Sequence, residues 1–306
     1  MIKKSKESFS LAIHGGAGGT IKKARESETV VKQTLHDILE RGRTILARGG
    51  SSIDAVTSCV GMLEDCPLFN AGYGAVSNSA GQYELDAAIM DGKTLKAGAV
   101  AAVLNVKNPV DLARLVMEKT PHILLSGKGA IAFAKMQNVP MVTQKYFKDA
   151  QEKASSLIDK NKKHGTVGAV ARDLKGNLAA ATSTGGWGAK MPGRIGDSPL
   201  IGAGNFANND SGAISCTGIG EHFIRTVLAG YIGFLIEREN MDASEAAMAA
   251  LIRLTEKFKG EGGFIVVDKN GYIAAAQTTK IMRCGWIEHG GEIHVTLQET
   301  LRIPKT

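Results

Sequence analysis

Apolar and polar positions alternate along the chain in a way that divides it into two segments. In the first segment, an alternating stretch leads into a glycine-rich loop, and apolar side chains then recur at helical spacing. Gly49 and Gly50 end the first helix, and Asp91-Gly92 is a turn signal. The predicted elements are a strand at 8–14, helices at 26–48 and 53–64, two strands within 83–104, and helices near 109–118 and 126–136.

The second segment is richer in strand patterns, and a polar stretch precedes it. Residues 137–164 carry many Lys, Gln, Asp, Glu and Ser and few large apolar side chains, which predicts a flexible linker with at most one helical turn, at about 150–158. Asp242 is a predicted N-cap, and Glu245 would complete a capping box. The predicted elements are strands at 166–171, 178–182, 264–268 and 272–277, and helices at 221–238 and 242–258.

This order of elements favours antiparallel sheets with helices outside them over an alternating βαβ fold. Neither segment has the pattern of an independently folding unit, so we expect one domain over 1–306. The linker would then interrupt the sequence without dividing the core.

Composition excludes several classes of protein. The chain has 306 residues, 43% of them hydrophobic, as in an ordinary globular protein. The net charge is +7, but the basic stretches are scattered and lack neighbouring aromatics, so no nucleic-acid partner is expected. No apolar run reaches the ~18 residues of a membrane span, so no membrane partner is expected. The four cysteines have no metal-ligand spacing. They predict free thiols in a reducing, cytoplasmic setting.

The sequence around Thr166 is a candidate site of self-cleavage. A threonine hydroxyl is a weak nucleophile unless a base lies beside it, and the α-amine of an N-terminal threonine can serve as that base. The amine has an unperturbed pKa near ~8, which suits proton transfer at neutral pH. Gly165 ends the predicted linker and can adopt strained backbone conformations, while a strand begins at Thr166. On its own, Gly-Thr before a strand is also what an ordinary strand start looks like.

Several sequence blocks together resemble the plant-type asparaginase and isoaspartyl peptidase family of N-terminal-nucleophile (Ntn) hydrolases. They occur in the family's order and cover nearly the whole chain, least well over 137–163. The blocks are His14-Gly15-Gly16-Ala17-Gly18, Leu68-Phe69-Asn70-Ala71-Gly72-Tyr73-Gly74, Glu84 to Gly92, Ala97-Gly98-Ala99-Val100, Gly165 to Ala171, Ala181 to Gly186, Gly193 to Pro199 and Cys216-Thr217-Gly218-Ile219-Gly220-Glu221.

The resemblance implies a fold and a set of catalytic residues. The fold would be α+β, a four-layer αββα sandwich with two antiparallel sheets flanked by helices. Thr166 corresponds to the nucleophile, Thr184 to a second threonine beside it, and Thr217 with Gly218 to the oxyanion hole. Cleavage between Gly165 and Thr166 would give an α chain, 1–165, and a β chain, 166–306.

The resemblance also implies how a small substrate is held. Arg194 and Asp197 correspond to the pair that binds the α-carboxylate and α-amine, which agrees with the chemistry of a guanidinium and a carboxylate. L-asparagine and β-aspartyl dipeptides share both groups, so both are expected substrates. The further substrate-binding positions implied are Asn70, Ile195, Gly196, Thr217, Gly218, Ile219 and Gly220.

No cofactor is expected for the chemistry, but the resemblance implies a structural sodium ion. Its ligands would be backbone carbonyl oxygens, a plausible donor set for a hard cation. The resemblance also implies a homodimer of αβ units. The carbonyls would belong to Leu63, Glu64, Cys66, Phe69, Ala71 and Tyr73.

Alternatives within and outside the family remain. Glycosylasparaginases and taspase-like proteases are related, but they usually carry Asp where this chain has Gly165. A non-catalytic binding protein is favoured only by Lys280 and Ile281, which are bulkier than the family's usual residues and are expected near the pocket rim. A dinucleotide-binding enzyme is disfavoured, since the glycine run at Gly15 is not GxGxxG.

Overall fold

The computed structural model describes residues 8–18, 25–154 and 165–298, and these form a mixed α/β structure. Within these ranges there are two sheets and eight helices, none of them long and apolar enough to cross a membrane. The elements before the predicted cleavage site are β1 Ser10–Ala17, α1 Arg25–Ala47, α2 Ser52–Glu64, a 3-10 turn Gly72–Gly74, β2 Glu84–Asp91, β3 Ala97–Leu104, α3 Pro109–Lys119, β4 Leu124–Ser126, α4 Gly127–Met136 and α5 Gln144–Ala154. Those after it are β5 Val167–Arg172, β6 Leu178–Thr184, β7 Asn205–Ala207, β8 Gly212–Gly218, α6 Gly220–Thr226, α7 Leu228–Arg238, α8 Ala243–Phe258, β9 Gly262–Asp268, β10 Ile273–Gln277, β11 Met282–Glu288 and β12 His294–Thr296.

The larger sheet mixes strands from both sides of the predicted cleavage site. Its order is β12-β11-β1-β5-β6-β2-β3-β4, and the smaller sheet has the order β10-β9-β8-β7. Strand β5 pairs with β1, and β6 pairs with β2, so each segment contributes strands to the middle of one sheet. Separating the two segments would therefore break the hydrogen bonds of the central strands.

The prediction of purely antiparallel sheets needs one correction. Strand β4 runs parallel to β3 at the edge of the larger sheet. The reason is the connection between them: helix α3 carries the chain back along the sheet before β4 begins, as a parallel pair requires.

Three apolar cores alternate with the two sheets. Helices α1 to α3 pack on one face of the larger sheet, and α6 to α8 pack on the smaller sheet. The third core joins the sheets and contains Val170 and Ala180 from the larger sheet together with Ile265 and Val267 from the smaller one. Neighbouring residues on these strands point to opposite faces, as strand geometry requires.

Helix boundaries follow the local sequence, with one difference from prediction. The Asp242 side chain accepts hydrogen bonds from Ser244 N and Glu245 N, and Glu245 completes the capping box, as predicted. The helix predicted at 221–238 is interrupted at Val227, which has a φ of 49° and ends α6 before α7 begins. Helical periodicity continues across this single residue, so the pattern did not indicate the break.

Part of the stretch predicted as a linker is folded. Residues 144–154 form α5, and Phe147 is fully buried against the ring of Tyr83, 5.4 Å away between centroids. The sequence predicted at most a helical turn at about 150–158, whereas the helix begins at Gln144, because one buried aromatic can anchor a helix whose other positions are polar. Residues 155–164 of the predicted linker lie outside the described residues.

Candidate active site

The predicted nucleophile lies beside a second threonine because two neighbouring strands meet there. Val167 of β5 pairs with Ser183 of β6, which places Thr166 next to Thr184. The Thr166 hydroxyl donates to Thr184 Oγ1 at 3.2 Å, and both side chains are buried. The Thr184 hydroxyl in turn donates to the carbonyl oxygen of Gly165, also at 3.2 Å.

The carbonyl of Gly165 has a second hydrogen-bond donor in Asn70. The Asn70 Nδ2 atom lies 2.9 Å from this oxygen and also donates to the carbonyl of Gly186. Val76 N donates to Asn70 Oδ1 at 3.0 Å and so fixes the orientation of the amide. The bond predicted to be cleaved thus has a carbonyl held by two neutral donors.

Close backbone packing surrounds the Gly165–Thr166 bond. Gly165 has a φ of 151°, a value that residues with a side chain rarely adopt. A Cβ atom at Gly16 would lie 2.8 Å from the Cα of Gly165, so Gly16 must lack a side chain for the end of β1 to approach this bond. The glycine-rich end of β1 therefore forms one wall at the predicted cleavage site.

A chain of buried polar groups lies between the sheets beneath Thr166. His14 Nε2 is 2.9 Å from Ser215 Oγ, and Ser215 Oγ is 2.8 Å from Thr182 Oγ1. Thr182 also donates to Asn205 Oδ1 at 2.9 Å. Burial lowers the pKa of His14 to about 3, and a hydrogen bond with the Thr166 backbone raises it by a smaller amount. The imidazole is therefore neutral.

Sequence reasoning did not find this polar chain, although a signal existed. Ser215 and Thr217 alternate with Ile214 and Cys216 along β8. In a strand buried on both faces, such alternation indicates that one face contacts polar groups.

The predicted oxyanion-hole residues lie at the end of β8. The Thr217 side chain is fully buried, and its Oγ1 accepts a hydrogen bond from Ala17 N at 3.1 Å. Because that bond uses a lone pair, the hydroxyl proton remains available for another acceptor. Gly218 lines the cavity described next, with a φ of 155°.

A cavity of about 200 Å³ opens next to Thr166. It is smaller than the ~300–1,000 Å³ clefts of drug-sized ligands and suits a small molecule. The lining residues are Ala17, Gly18, Gly165, Thr166, Thr184, Gly186, Trp187, Arg194, Gly196, Asp197, Ser198, Gly218, Ile219, Glu261 and Thr279. Of the predicted site residues, the lining does not include Asn70, Ile195, Thr217 or Gly220.

Asp197 presents an incompletely paired carboxyl group to this cavity. It is 3% exposed, and its Oδ2 atom has no hydrogen-bond partner among the described residues. Burial raises the pKa of Asp197 to about 7. A backbone hydrogen bond and the Arg194 charge lower this pKa, but by less than burial raises it. A buried acceptor without a partner is rare in folded proteins, and a water molecule or a ligand in the cavity can complete it.

Arg194 is paired within the protein, which the sequence did not reveal. Its Nε and Nη2 atoms donate to the two carboxylate oxygens of Glu221, at 3.0 and 2.8 Å. The guanidinium also lies 4.7 Å from the centre of the Trp187 ring. Neither Glu221 nor Trp187 was among the predicted site residues, although Trp187 follows Thr184 by three positions.

The loop between Thr184 and Arg194 is anchored by a buried lysine. The Lys190 side chain is 1% exposed, and its Nζ donates to the Glu84 carbonyl at 3.0 Å. The Glu84 carboxylate accepts from Gly193 N at 3.0 and 3.1 Å. This loop is thus tied at two points to the start of β2.

The two bulky residues that depart from the family pattern and were expected near the pocket rim, Lys280 and Ile281, lie outside the cavity lining. Thr279 is part of the lining, whereas Lys280 and Ile281 are not, and Lys280 is exposed. The carbonyl of Ile281 accepts hydrogen bonds from Gly18 N at 2.8 Å and from Thr279 Oγ1 at 2.9 Å. Ile281 therefore contacts the glycine-rich loop through its backbone.

The predicted sodium loop is tightly curled after α2. A Cβ atom on Gly74 would lie 2.0 Å from the Phe69 oxygen and 2.9 Å from the Cys66 oxygen, so these two carbonyls converge. The carbonyls of Leu63 and Ala71 also accept backbone hydrogen bonds from Cys66 and Gly74, at 3.3 and 3.0 Å. Such carbonyls keep a second lone pair, so the donor set fits a hard cation.

Comparison with known proteins gives a consistent set of relatives. A family described as asparaginase matches residues 7–297. An isoaspartyl peptidase of Salmonella typhimurium is 46% identical over 294 residues, covering 90% of this chain and 94% of the relative. An isoaspartyl peptidase/L-asparaginase of Rattus norvegicus is 46% identical over 293 residues, covering 92% and 87%. One of Homo sapiens is 47% identical over 286 residues, covering 89% and 91%. The chain therefore belongs to the asparaginase family.

Proposed function

We propose that this protein cleaves its own chain between Gly165 and Thr166, and then hydrolyses L-asparagine and β-aspartyl dipeptides with Thr166 as the nucleophile. The observation that supports this proposal most directly is the set of hydrogen bonds around the Gly165 carbonyl. Its oxygen accepts from Asn70 Nδ2 and from the Thr184 hydroxyl, while the Thr166 hydroxyl is hydrogen-bonded to Thr184. Family membership supports the same activity.

The cleavage step follows from these contacts. The Thr166 Oγ attacks the Gly165 carbonyl carbon, and Asn70 and Thr184 stabilise the oxyanion that develops. The C–N bond then breaks, the amine of Thr166 takes up the proton lost by the hydroxyl, and an ester joins Gly165 to Oγ. Water hydrolyses this ester, which leaves a carboxylate on Gly165 and a free α-amine on Thr166.

The freed α-amine makes the second reaction possible. It accepts the hydroxyl proton as Thr166 Oγ attacks the side-chain amide carbon of asparagine, or the β-linked peptide bond of an isoaspartyl dipeptide. Ammonia or an amino acid leaves with that proton, and water releases aspartate from the ester on Oγ. The Thr217 hydroxyl and the Gly218 N–H are the proposed donors to the oxyanion of this step.

Substrate recognition rests on the two charged groups of the cavity. The Asp197 carboxyl group lines the cavity, is incompletely paired among the described residues, and can accept from the α-ammonium group. Arg194 can donate to the α-carboxylate. Asparagine and β-aspartyl dipeptides carry both groups on one carbon, so the same pair can hold either substrate.

The finer architecture and the bound ion belong to the same proposal. The three cores support a four-layer αββα arrangement of the Ntn-hydrolase type, with the two sheets in the middle.

The converging carbonyls of the loop before Asn70 support a structural sodium ion. Replacing sodium with tetramethylammonium at constant ionic strength would then lower the melting temperature. An unchanged melting temperature would contradict the sodium site.

Intact-mass spectrometry after incubation at neutral pH tests the proposed function. We expect two masses that meet at the Gly165–Thr166 bond and, in the same sample, release of ammonia from L-asparagine. Thr166→Ala should remain one chain without activity, while Thr34→Ala in α1 should cleave normally. Efficient cleavage of Thr166→Ala would contradict the mechanism.

A further inference from the structure

Among the described residues, hydrogen bonds occupy one of the two donor edges of the Arg194 guanidinium. Glu221 takes the edge formed by Nε and Nη2, at 3.0 and 2.8 Å. A guanidinium can bind a second carboxylate through the edge formed by its two terminal nitrogens. A substrate carboxylate therefore does not need to displace Glu221.

The free edge of Arg194 lies close to two glycines, at which a side chain would crowd it. A Cβ atom on Gly196 would lie 2.9 Å from Nη1, and one on Gly220 would lie 3.0 Å from Nη2. The same position on Gly220 would lie 2.8 Å from Asp197 Oδ1. Arg194 and Asp197 both line the cavity beside Thr166, and Trp187 covers a face of the guanidinium.

We propose that Glu221 is a positioning residue, which holds the Arg194 side chain so that its free edge binds the α-carboxylate of the substrate. This inference rests on the proposed function of the site. Arginine has a long side chain, and ordering it at the moment of binding costs conformational entropy. Glu221 and Trp187 order it in advance.

The alternative role for Glu221, competition with the substrate carboxylate, has the opposite consequence. A competitor would weaken substrate binding, so its removal would lower KM. The occupied edge and the glycine-lined free edge favour positioning, because the two carboxylates would accept from different N–H groups of the guanidinium. The contribution of the pair to overall stability is small, since the Glu221 side chain is 44% exposed and such pairs are screened by water.

Steady-state kinetics of Glu221→Ala on the cleaved enzyme tests the proposal. Losing one pre-ordered side chain raises KM for L-asparagine by roughly 3- to 10-fold, with kcat changed less than about 2-fold. Self-cleavage proceeds as in the wild type, because Glu221 has no contact with Thr166, Thr184 or Asn70 in the described residues. Glu221→Gln retains one acceptor oxygen and gives an intermediate KM.

A substrate analogue that lacks the α-carboxylate distinguishes a positioning role of Glu221 from general damage to the site in Glu221→Ala. The compound 3-aminopropanamide lacks the α-carboxylate, so its inhibition constant stays the same in Glu221→Ala and wild type. The matched control is Glu118→Ala, which removes a similar pair with Arg114, 2.7 Å apart and outside the cavity, and leaves KM unchanged.

An unchanged or lower KM for asparagine in Glu221→Ala would overturn the proposal, as would equal weakening of asparagine and 3-aminopropanamide. Failure of the proposed function would be seen separately, as a wild-type protein that neither cleaves itself nor releases ammonia.

Discussion

The carboxyl group of Asp197 gives the site a pH dependence that starts from a single residue. Burial raises its pKa to about 7, while Arg194 opposes this shift and Glu221 and Asp86 add to it. Only the carboxylate form attracts an ammonium group. We therefore expect the dissociation constant of L-aspartate, the reaction product, to be constant above pH 7 and to rise about tenfold per pH unit below it.

Isothermal calorimetry of aspartate binding to the cleaved enzyme, on both sides of pH 7, measures this dependence. Asp197→Asn serves as the control, because its amide cannot ionise, and we expect weak binding that changes little with pH. Aspartate binding that stays equally tight well below pH 7 would mean that Asp197 keeps its charge in the cavity.

Asn70 gives a second prediction, on the rate of self-cleavage. Removing one preorganised donor to an oxyanion typically slows a reaction by ~10²–10³-fold. Asn70→Ala should therefore slow the appearance of the two chains by about that factor, followed by intact mass over time. Gln151→Ala is the control, since Gln151 contacts the same loop at the Ala75 carbonyl, 3.1 Å away, without contacting Gly165. Equal rates in the two variants would remove Asn70 from the mechanism.

At the scale of elements, Gly220 at the start of α6 lies where a side chain would crowd Arg194 and Asp197, the two residues proposed to bind the substrate. A methyl group on Gly220 would lie between Asp197 Oδ1 and Arg194 Nη2, within 2.8 and 3.0 Å. We expect Gly220→Ala to raise KM for asparagine at least about tenfold, because displacing a group by even 1 Å can cost ~10²-fold, while self-cleavage continues. Gly188→Ala, where a Cβ meets nothing within 4 Å, should leave KM unchanged. Wild-type KM in Gly220→Ala would show that the substrate is held elsewhere.

The cap of α8 is an element-scale feature that the sequence predicted and the structure confirmed. Asp242→Ala removes the acceptor for Ser244 N and Glu245 N, both at 2.9 Å. We expect it to lower the free energy of unfolding by about 1 kcal/mol. Urea denaturation in the uncleaved Thr166→Ala background measures this, with exposed Ser244→Ala as the control. A loss no larger than that of the control would contradict the cap's contribution.

Local signals explain which elements could be predicted. The hairpin turns and the capping box are short-range, so the sequence alone located β5, β6, β9, β10 and α8 closely. Strand β11 was missed, and it pairs with β1, more than 260 residues earlier in the chain. The break at Val227 was also missed, because a β-branched residue at a φ of 49° is not signalled by periodicity.

The candidate site also contains long-range contacts that the sequence could not indicate. Family motifs indicated Thr166, Thr184, Arg194 and Asp197, and the cavity brings these four together. The motifs did not indicate how Arg194 is already paired. That partner lies 27 positions away on α6 and becomes visible only once α6 packs against the loop that carries Arg194.

At the scale of the whole molecule, the strand order predicts what happens after cleavage. The larger sheet places β5 and β6 between β1 and β2, and β11 pairs with the other edge of β1, so the two segments are hydrogen-bonded to each other along three strand pairs. The core between that sheet and α1 to α3 also contains residues from both sides of the bond. We therefore expect chains 1–165 and 166–306 to stay associated after cleavage and to separate only when the protein unfolds.

Native mass spectrometry of the cleaved protein, compared with the same sample in denaturant, tests this association. We expect every native species to contain equal numbers of the two chains, and the denatured sample to show each chain alone. The native mass also decides between a single αβ unit and the proposed dimer of such units. Free 166–306 chain under native conditions would contradict the interleaved sheet, because β5 and β6 cannot leave it without exposing their unpaired backbone groups.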